Sequence, residues 1–131
     1  MDIILNDQYH EFLGFVYEDI IRGNIFQYAL DNQLPFVPRI IGKWWGQICK
    51  NNNWQESEVD VIAYDDHYLI IGECKYRSKA IGIQELDNLK LKAQFIPAKG
   101  RELFFLLAGK NGFTEEVKLI KDSHLILIDQ I

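Results

Sequence analysis

The sequence predicts an α/β fold, a mixed β-sheet flanked by helices. Two observations carry this. Apolar residues recur at helical spacing near the start, alternate through the middle, and return to helical spacing later. The periods follow the order helix, three strands, helix, strand, helix, strand. Strands that alternate with helices imply parallel pairing with helices on the sheet faces, and consecutive strands imply hairpins.

The first helix is predicted over residues 8–30. Phe12, Leu13, Val16, Tyr17, Ile20 and Ile21 recur three and four apart, which makes one stripe facing a core. Glu11 and Glu18 share another face. Pro35 and Pro38 end the connection, and residues 39–49 read as a first strand. Asn51-Asn52-Asn53 is a turn signal. Two strands follow, near 56–65 and 68–76. Ile83, Leu86, Leu89, Leu91 and Ala93 predict a helix over 83–95, stopped by Pro97 and Gly100. Residues 103–108, Leu-Phe-Phe-Leu-Leu-Ala, are continuously apolar, as a strand covered on both faces requires. Thr114 caps a short helix with Glu115 and Glu116 in its first turn. Residues 124–128 form the last strand. No repeat, low-complexity stretch or linker interrupts the 131 residues, so residues 1–131 read as one domain.

The chemistry concentrates in the middle hairpin. Alternation puts Glu58 and Asp60 on one face of its first strand, and Glu73 and Lys75 on one face of its second. With Asp66-His67 as a two-residue loop, Asp60 lies opposite Glu73 and Glu58 opposite Lys75. Directly opposed side chains have Cβ atoms about 4.5–5.5 Å apart. Two carboxylates that close can share a divalent cation. The other face pairs Val59, Val61 and Ala63 with Cys74, Gly72 and Ile70, an apolar surface. A solvated acidic edge is the plainer reading. Against it stand the apolar strands around the charges, the cost of opposed like charges, and the lysine two residues beyond Glu73.

These residues resemble the core motif of the PD-(D/E)XK nuclease superfamily. Asp60 takes the place of the first acid and Glu73-Cys74-Lys75 the E-x-K half. Val59 stands where a proline is usual. A wider stretch is similar to the C-terminal domain of archaeal-type AAA+ ATPases. It comprises the helix Phe12 to Arg22, Ile41-Gly42-Lys43-Trp44-Trp45-Gly46, Glu58 to Ala63, and Gly72 to Lys75. The resemblance covers roughly residues 10–95. It implies a restriction-endonuclease-like mixed sheet with an αβββαβ core, the order already read from the periods. It implies Asp60, Glu73 and Lys75 as catalytic residues, with Glu18 on the first helix completing the site. Asp60 and Glu73 would hold Mg²⁺ or Mn²⁺, with the Glu73 or Cys74 carbonyl as a further ligand. Lys75 would orient water or stabilise developing charge. The implied substrate is DNA, and the implied partner an ATPase domain of the same or another chain.

A phosphate-binding loop is missing. Ala108-Gly109-Lys110-Asn111-Gly112 lacks the first glycine of that motif, and Asn111 replaces its Ser/Thr. The chain is therefore either a stand-alone domain or the C-terminal part of a longer ATPase, and the resemblance to the family's C-terminal domain, starting near the N-terminus with no motor present, favours the second. The net charge of −5 opposes strong DNA binding by this domain alone, since nonspecific affinity comes from basic surface. Lys75, Arg77, Lys79, Lys90 and Lys92 supply local positive charge.

No run reaches the roughly 18 apolar residues of a membrane span. The N-terminus is acidic, unlike a signal peptide. Cys49 and Cys74 read as small buried thiols of a cytoplasmic protein. His10, His67 and His124 are scattered and form no hydrolase triad. Trp44, Trp45 and Trp54 could stack on bases, but adjacent strand residues point to opposite faces, so one of Trp44 and Trp45 belongs to a core. Gln84 is a polar group at a helix start. The alternative function is a catalytically silent module that docks the ATPase to nucleic acid or a partner. Homo-oligomerisation is a third reading that sequence does not separate.

Overall fold

The computed structural model describes residues 3–129. Met1 and Asp2, which open the acidic N-terminal segment, lie outside the described residues. The elements are α1 (Ile3–Gly23), α2 (Ile25–Leu30), β1 (Ile40–Lys50), β2 (Asn53–Tyr64), β3 (Tyr68–Lys75), α3 (Ile83–Ala93), β4 (Glu102–Gly109), α4 (Glu115–Lys118) and β5 (Leu125–Ile128). They build the predicted mixed sheet flanked by helices. Strand order follows the chain, β1-β2-β3-β4-β5. The first three strands pair antiparallel; β3–β4 and β4–β5 pair parallel through helical crossovers.

Each face of the sheet has its own core. On one, Tyr17, Ile21, Ile25 and Tyr28 of α1 and α2 pack against Val61, Ala63, Ile70, Cys74 and Leu106. On the other, Leu86 and Leu89 of α3 and Val117 of α4 pack against Val59, Leu69, Ile71 and Leu107. Both faces of β3 and β4 are thus covered, as their apolar runs require. Gly72 sits where the layers are tightest. A Cβ there would stand 3.1 Å from the Val61 Cβ and 3.2 Å from the Leu106 Cβ.

The first helix departs from expectation in two ways. It breaks at Asn24, whose side-chain amide donates to the Ile20 carbonyl at 2.8 Å. A glycine followed by an asparagine that competes for backbone partners is a weak helical stretch. The predicted stripe is also only partly buried. Tyr17 and Ile21 are core, while Phe12 and Val16 are exposed beside Phe15. Only the C-terminal half of α1 is pressed onto the sheet.

The hairpin turns follow from their residues. Asn51 and Asn52 take positive φ of 53° and 63° between the paired Lys50 and Asn53, a type I′ geometry that asparagine tolerates. The next loop is Asp66-His67, closed by Asp65 N–H to the Tyr68 carbonyl at 3.1 Å. The Asp65 carboxylate accepts from the His67 and Tyr68 backbone N–H, each at 2.8 Å. Strand β2 begins earlier than expected. Its first residues pair with β1 alone, so the β1–β2 hairpin extends past β3 as a two-stranded arm. Trp45 and Trp54 are exposed on the arm, while Trp44 packs against the α3-side core. Cys74 is buried and Cys49 half-buried. Among the described residues no helix is long and apolar enough to cross a membrane.

Candidate active site

The β2–β3 register is the one a two-residue loop demands. Tyr64 faces Leu69, Ala63 Ile70, Ile62 Ile71 and Val61 Gly72. One step further stand Asp60 and Glu73, and there the ladder stops. The two strands part, and side chains take over from backbone bonds. The Asp60 carboxylate accepts from the Cys74 backbone N–H at 2.8 Å. Arg22 of α1 donates to the Asp60 carbonyl at 2.7 Å. Lys92 of α3 donates to the Glu58 carbonyl at 2.8 Å and to Glu73 Oε1 at 2.6 Å.

A bulge explains how Asp60 reaches residues on both sheet faces. Gly42 faces Ile62, but Trp44 faces Val59, so Asp60 and Val61 together stand opposite Lys43. An extra residue in one strand reverses alternation beyond it. Val61 and Ala63 therefore join the core under α1, while Val59 joins the core under α3. The uniform apolar face of Val59, Val61 and Ala63 predicted from strict alternation is not formed. Asp60 sits at the switch. Glu18 of α1 approaches it from one side and Glu73 from the other.

The charges here are hidden from water. Among the described residues, Asp60 and Glu73 are the two buried charged residues, at 8% and 6% exposure. Burial, then the Asp60 carboxylate beside it, raises Glu73 to about 8 despite Lys92. Burial and Asp60 likewise raise Glu18 to about 7, against the pull of Arg22 and Lys43. Carboxylates that share a site cannot all ionise cheaply. Glu73 and Glu18 therefore hold protons to higher pH than ordinary carboxylates unless a further cation joins them.

A cleft of about 160 Å³ opens on the α3 side of Glu73. Lys50, Lys75, Asn88 and Lys92 line it with Glu73. Four predicted site residues thus fall in one region: Glu18 and Glu73 each beside Asp60, and Lys75 in the cleft that Glu73 lines. Glu58 departs from its expected place opposite Lys75. It pairs with Trp45 on β1, its side chain is exposed, and its backbone carbonyl meets Lys92. Because the strands part at Asp60, no ladder brings Glu58 opposite Lys75. Gln84 is exposed.

Sequence reasoning missed Arg22 and Lys92 as members of the site. Both had a signal. Arg22 follows Glu18 by one helical turn, where their side chains meet at 3.7 Å. Lys92 falls three residues after Leu89, on the stripe that faces the core. A lysine there needs a buried acid.

Comparison with known proteins assigns a family. A family model, DUF234, described as archaeal and bacterial proteins of unknown function, matches residues 2–90. The chain belongs to the DUF234 family. The matched region of this DUF234 domain holds Glu18, Arg22, Asp60, Glu73 and Lys75, and ends just before Lys92. The uncharacterized protein MJECL04 of Methanocaldococcus jannaschii is 26% identical over 106 residues, 78% of this chain. The chain spans 22% of that relative's length. The crystal structure of AF1548, a protein of unknown function, is similar with a TM-score of 0.43 and 19% identity, over 80% of this chain and 55% of that one.

The donor atoms gathered around Asp60 would suit one kind of ion. They are hard oxygens, from Asp60, Glu73 and Glu18, and include no soft thiolate: the Cys74 side chain turns into the core under α1. Magnesium and manganese take such ligands, and magnesium needs only one or two carboxylates with waters and substrate phosphate. Among the described residues no three His, Cys, Asp or Glu side chains stand ready-made around an ion position. The fit is therefore to a two-carboxylate site completed by water and substrate.

Proposed function

We propose that this domain hydrolyses phosphodiester bonds in DNA with a divalent ion held by Asp60 and Glu73, as a PD-(D/E)XK-type nuclease. The carrying observation is that the two buried charged residues of the described chain meet where β2 and β3 part. Burying two acids side by side is costly without a cation. A bound Mg²⁺ or Mn²⁺ would supply Lewis acidity and make water nucleophilic at neutral pH.

The chain's own residues have distinct tasks in this reading. Asp60, fixed by the Cys74 N–H, and Glu73, at the start of the cleft, hold the ion. Glu18 keeps a third carboxylate beside Asp60, able to accept a proton from an attacking water or to hold water in place. Lys75 lines the cleft and orients the phosphate or stabilises charge developing on it. Lys50 and Asn88 extend the polar wall along which a sugar-phosphate backbone would lie.

The remaining context belongs to the same proposal. The strand order and the Asp60, Glu73-Cys74-Lys75 spacing support placement with the C-terminal domains of archaeal-type AAA+ ATPases, acting in the cytoplasm. An attached or partner ATPase would supply the DNA affinity that a net charge of −5 withholds.

The test is cleavage of single-stranded, duplex and branched DNA with Mg²⁺ or Mn²⁺, by the wild type and Asp60→Ala. It is joined to an anomalous map from crystals soaked in Mn²⁺. A peak between Asp60 and Glu73, with cleavage lost in Asp60→Ala, is expected. No peak at millimolar Mn²⁺ and equal cleavage by both proteins would defeat the proposal. One observation favours a silent docking module instead: the Glu73 carboxylate already holds a cation of the chain's own, Lys92. A Mn²⁺ peak without cleavage by the protein joined to its ATPase would select that reading.

A further inference from the structure

The Lys92 ammonium lies between oxygens of two different strands, Glu73 Oε1 at 2.6 Å and the Glu58 carbonyl at 2.8 Å. Glu73 in turn contacts Asp60. Carboxylate and carbonyl oxygens converging on one position are what a hard cation takes. Here the cation is covalently part of the protein. We infer that Lys92 is an internal cation occupying the ion-binding side of Glu73, and that a divalent ion and a polyanionic substrate bind cooperatively because both require its release. This rests on the metal-site reading above.

An ammonium and a divalent ion on the same carboxylate repel each other strongly in a buried site. Lysine can leave, because its charge rides on a flexible four-carbon stem. Its route is short: Lys92 already lines the cleft that holds Lys50 and Lys75. That cleft also holds Glu73 and Glu85, but Glu85 is paired with Arg77. Once an ion takes Glu73, the three ammonium groups are left without a carboxylate of their own and favour an anion. A phosphodiester in the cleft stabilises the released lysine, and the released lysine leaves Glu73 open to the ion. Ion and substrate thus favour one arrangement, and linkage requires each to tighten the other equally. Without substrate the domain still binds the ion, but more weakly than with it.

The experiment measures Mn²⁺ affinity from the electron paramagnetic resonance signal of the free ion at pH 8. The proteins are wild type, Lys92→Met, Lys92→Arg and Glu73→Gln. Each is measured with and without a short phosphorothioate single strand, correcting for Mn²⁺ bound by the strand alone. Lys92→Met should bind Mn²⁺ at least about fivefold tighter than wild type, the lower end of ordinary site-to-site coupling. The oligonucleotide should tighten Mn²⁺ binding to the wild type more than to Lys92→Met, which keeps only the gain from direct phosphate ligation; equal tightening of both would overturn the inference. Lys92→Arg should bind Mn²⁺ more weakly, because a guanidinium grips a carboxylate in bidentate fashion. Equal or weaker binding by Lys92→Met would overturn the inference and make Lys92 a pin between β2 and α3. If melting curves show that Lys92→Met does not fold, Lys92→Arg decides, and unchanged or tighter binding overturns it. Identical Mn²⁺ binding by wild type and Glu73→Gln would instead remove the proposed metal site itself.

Discussion

The two ends of the β2–β3 hairpin are made of the same strands and are held in opposite ways. At the closed end, backbone bonds run to the loop, and Asp65 satisfies the turn from within it. At the open end, past Val61 and Gly72, charged side chains take the backbone groups that parting releases. Asp60 takes the Cys74 N–H, Arg22 the Asp60 carbonyl, and Lys92 the Glu58 carbonyl. Two of those bonds come from 38 and 34 residues away. The closed end is therefore a local structure, and the open end exists only once α1 and α3 have docked. One hairpin separates stability from chemistry along its length.

The largest expected effects are at the open end and on cleavage. Glu73→Gln and Lys75→Met should each lower Mn²⁺-dependent cleavage by on the order of a thousandfold, the scale of losing one preorganised electrostatic group. They should differ in binding. Glu73→Gln removes a ligand's charge and weakens Mn²⁺, whereas Lys75→Met leaves Mn²⁺ affinity largely intact. The melting temperature of metal-free Glu73→Gln should hold or rise. The amide can still accept from Lys92, and repulsion from Asp60 is relieved. A large fall in its melting temperature would mean that the Glu73–Lys92 pair stabilises the fold, and the separation between the two ends would fail.

At the closed end, Ile70→Ala should act on stability alone. Ile70 is fully buried opposite Ala63, in the core under α1. Removing its side chain should cost about 2–5 kcal/mol by urea denaturation. Mn²⁺ affinity measured in the folded range should not move. A changed affinity would show that packing near the loop is felt at Asp60.

The same division governs what the sequence disclosed. Apolar period and turn residues are local, so the element order, the Asp66-His67 loop and the Asp60–Glu73 juxtaposition could be read directly. Strict alternation misplaced Val59, because a bulge depends on how β1 and β2 slide past each other and leaves no mark in β2 alone. Glu18 was found only as a helix acid of the right kind; its contact with Asp60 depends on the docking angle of α1. Arg22 and Lys92 were overlooked as site members because surface lysines and arginines are common. Their role follows from burial of the acids they meet, a three-dimensional fact.

Acidity should sharpen the contrast next. Burial raises Glu73 to about 8 and Glu18 to about 7, from an ordinary value of 4.5. The folded protein then keeps protons that the unfolded chain releases. Stability from these groups is full below about pH 4.5 and is lost as pH rises through 7 and 8. Urea midpoints of the metal-free protein should therefore fall between pH 5.5 and 8.5. Millimolar Mn²⁺ should recover the loss at high pH, and Glu73→Gln should flatten the slope. A midpoint that rises over this range would show the acids to be satisfied by Arg22 and Lys92 alone.

The smallest effect is the most direct probe of independence. Asp65 accepts two backbone bonds of 2.8 Å at the turn, from His67 and Tyr68. Asp65→Ala removes both, but the site is half-exposed and water replaces part of what is lost, so the cost should be about 1 kcal/mol. The register should survive. A slip of one residue would send Ile70 and Ile71 to the wrong faces, and burial on both sides of β3 resists that. Mn²⁺ affinity and cleavage should therefore match the wild type while the urea midpoint drops slightly. A loss of Mn²⁺ binding in Asp65→Ala would mean that the loop sets the spacing of Asp60 and Glu73. The open end would then depend on the closed one, and long-range anchoring by α1 and α3 would be secondary.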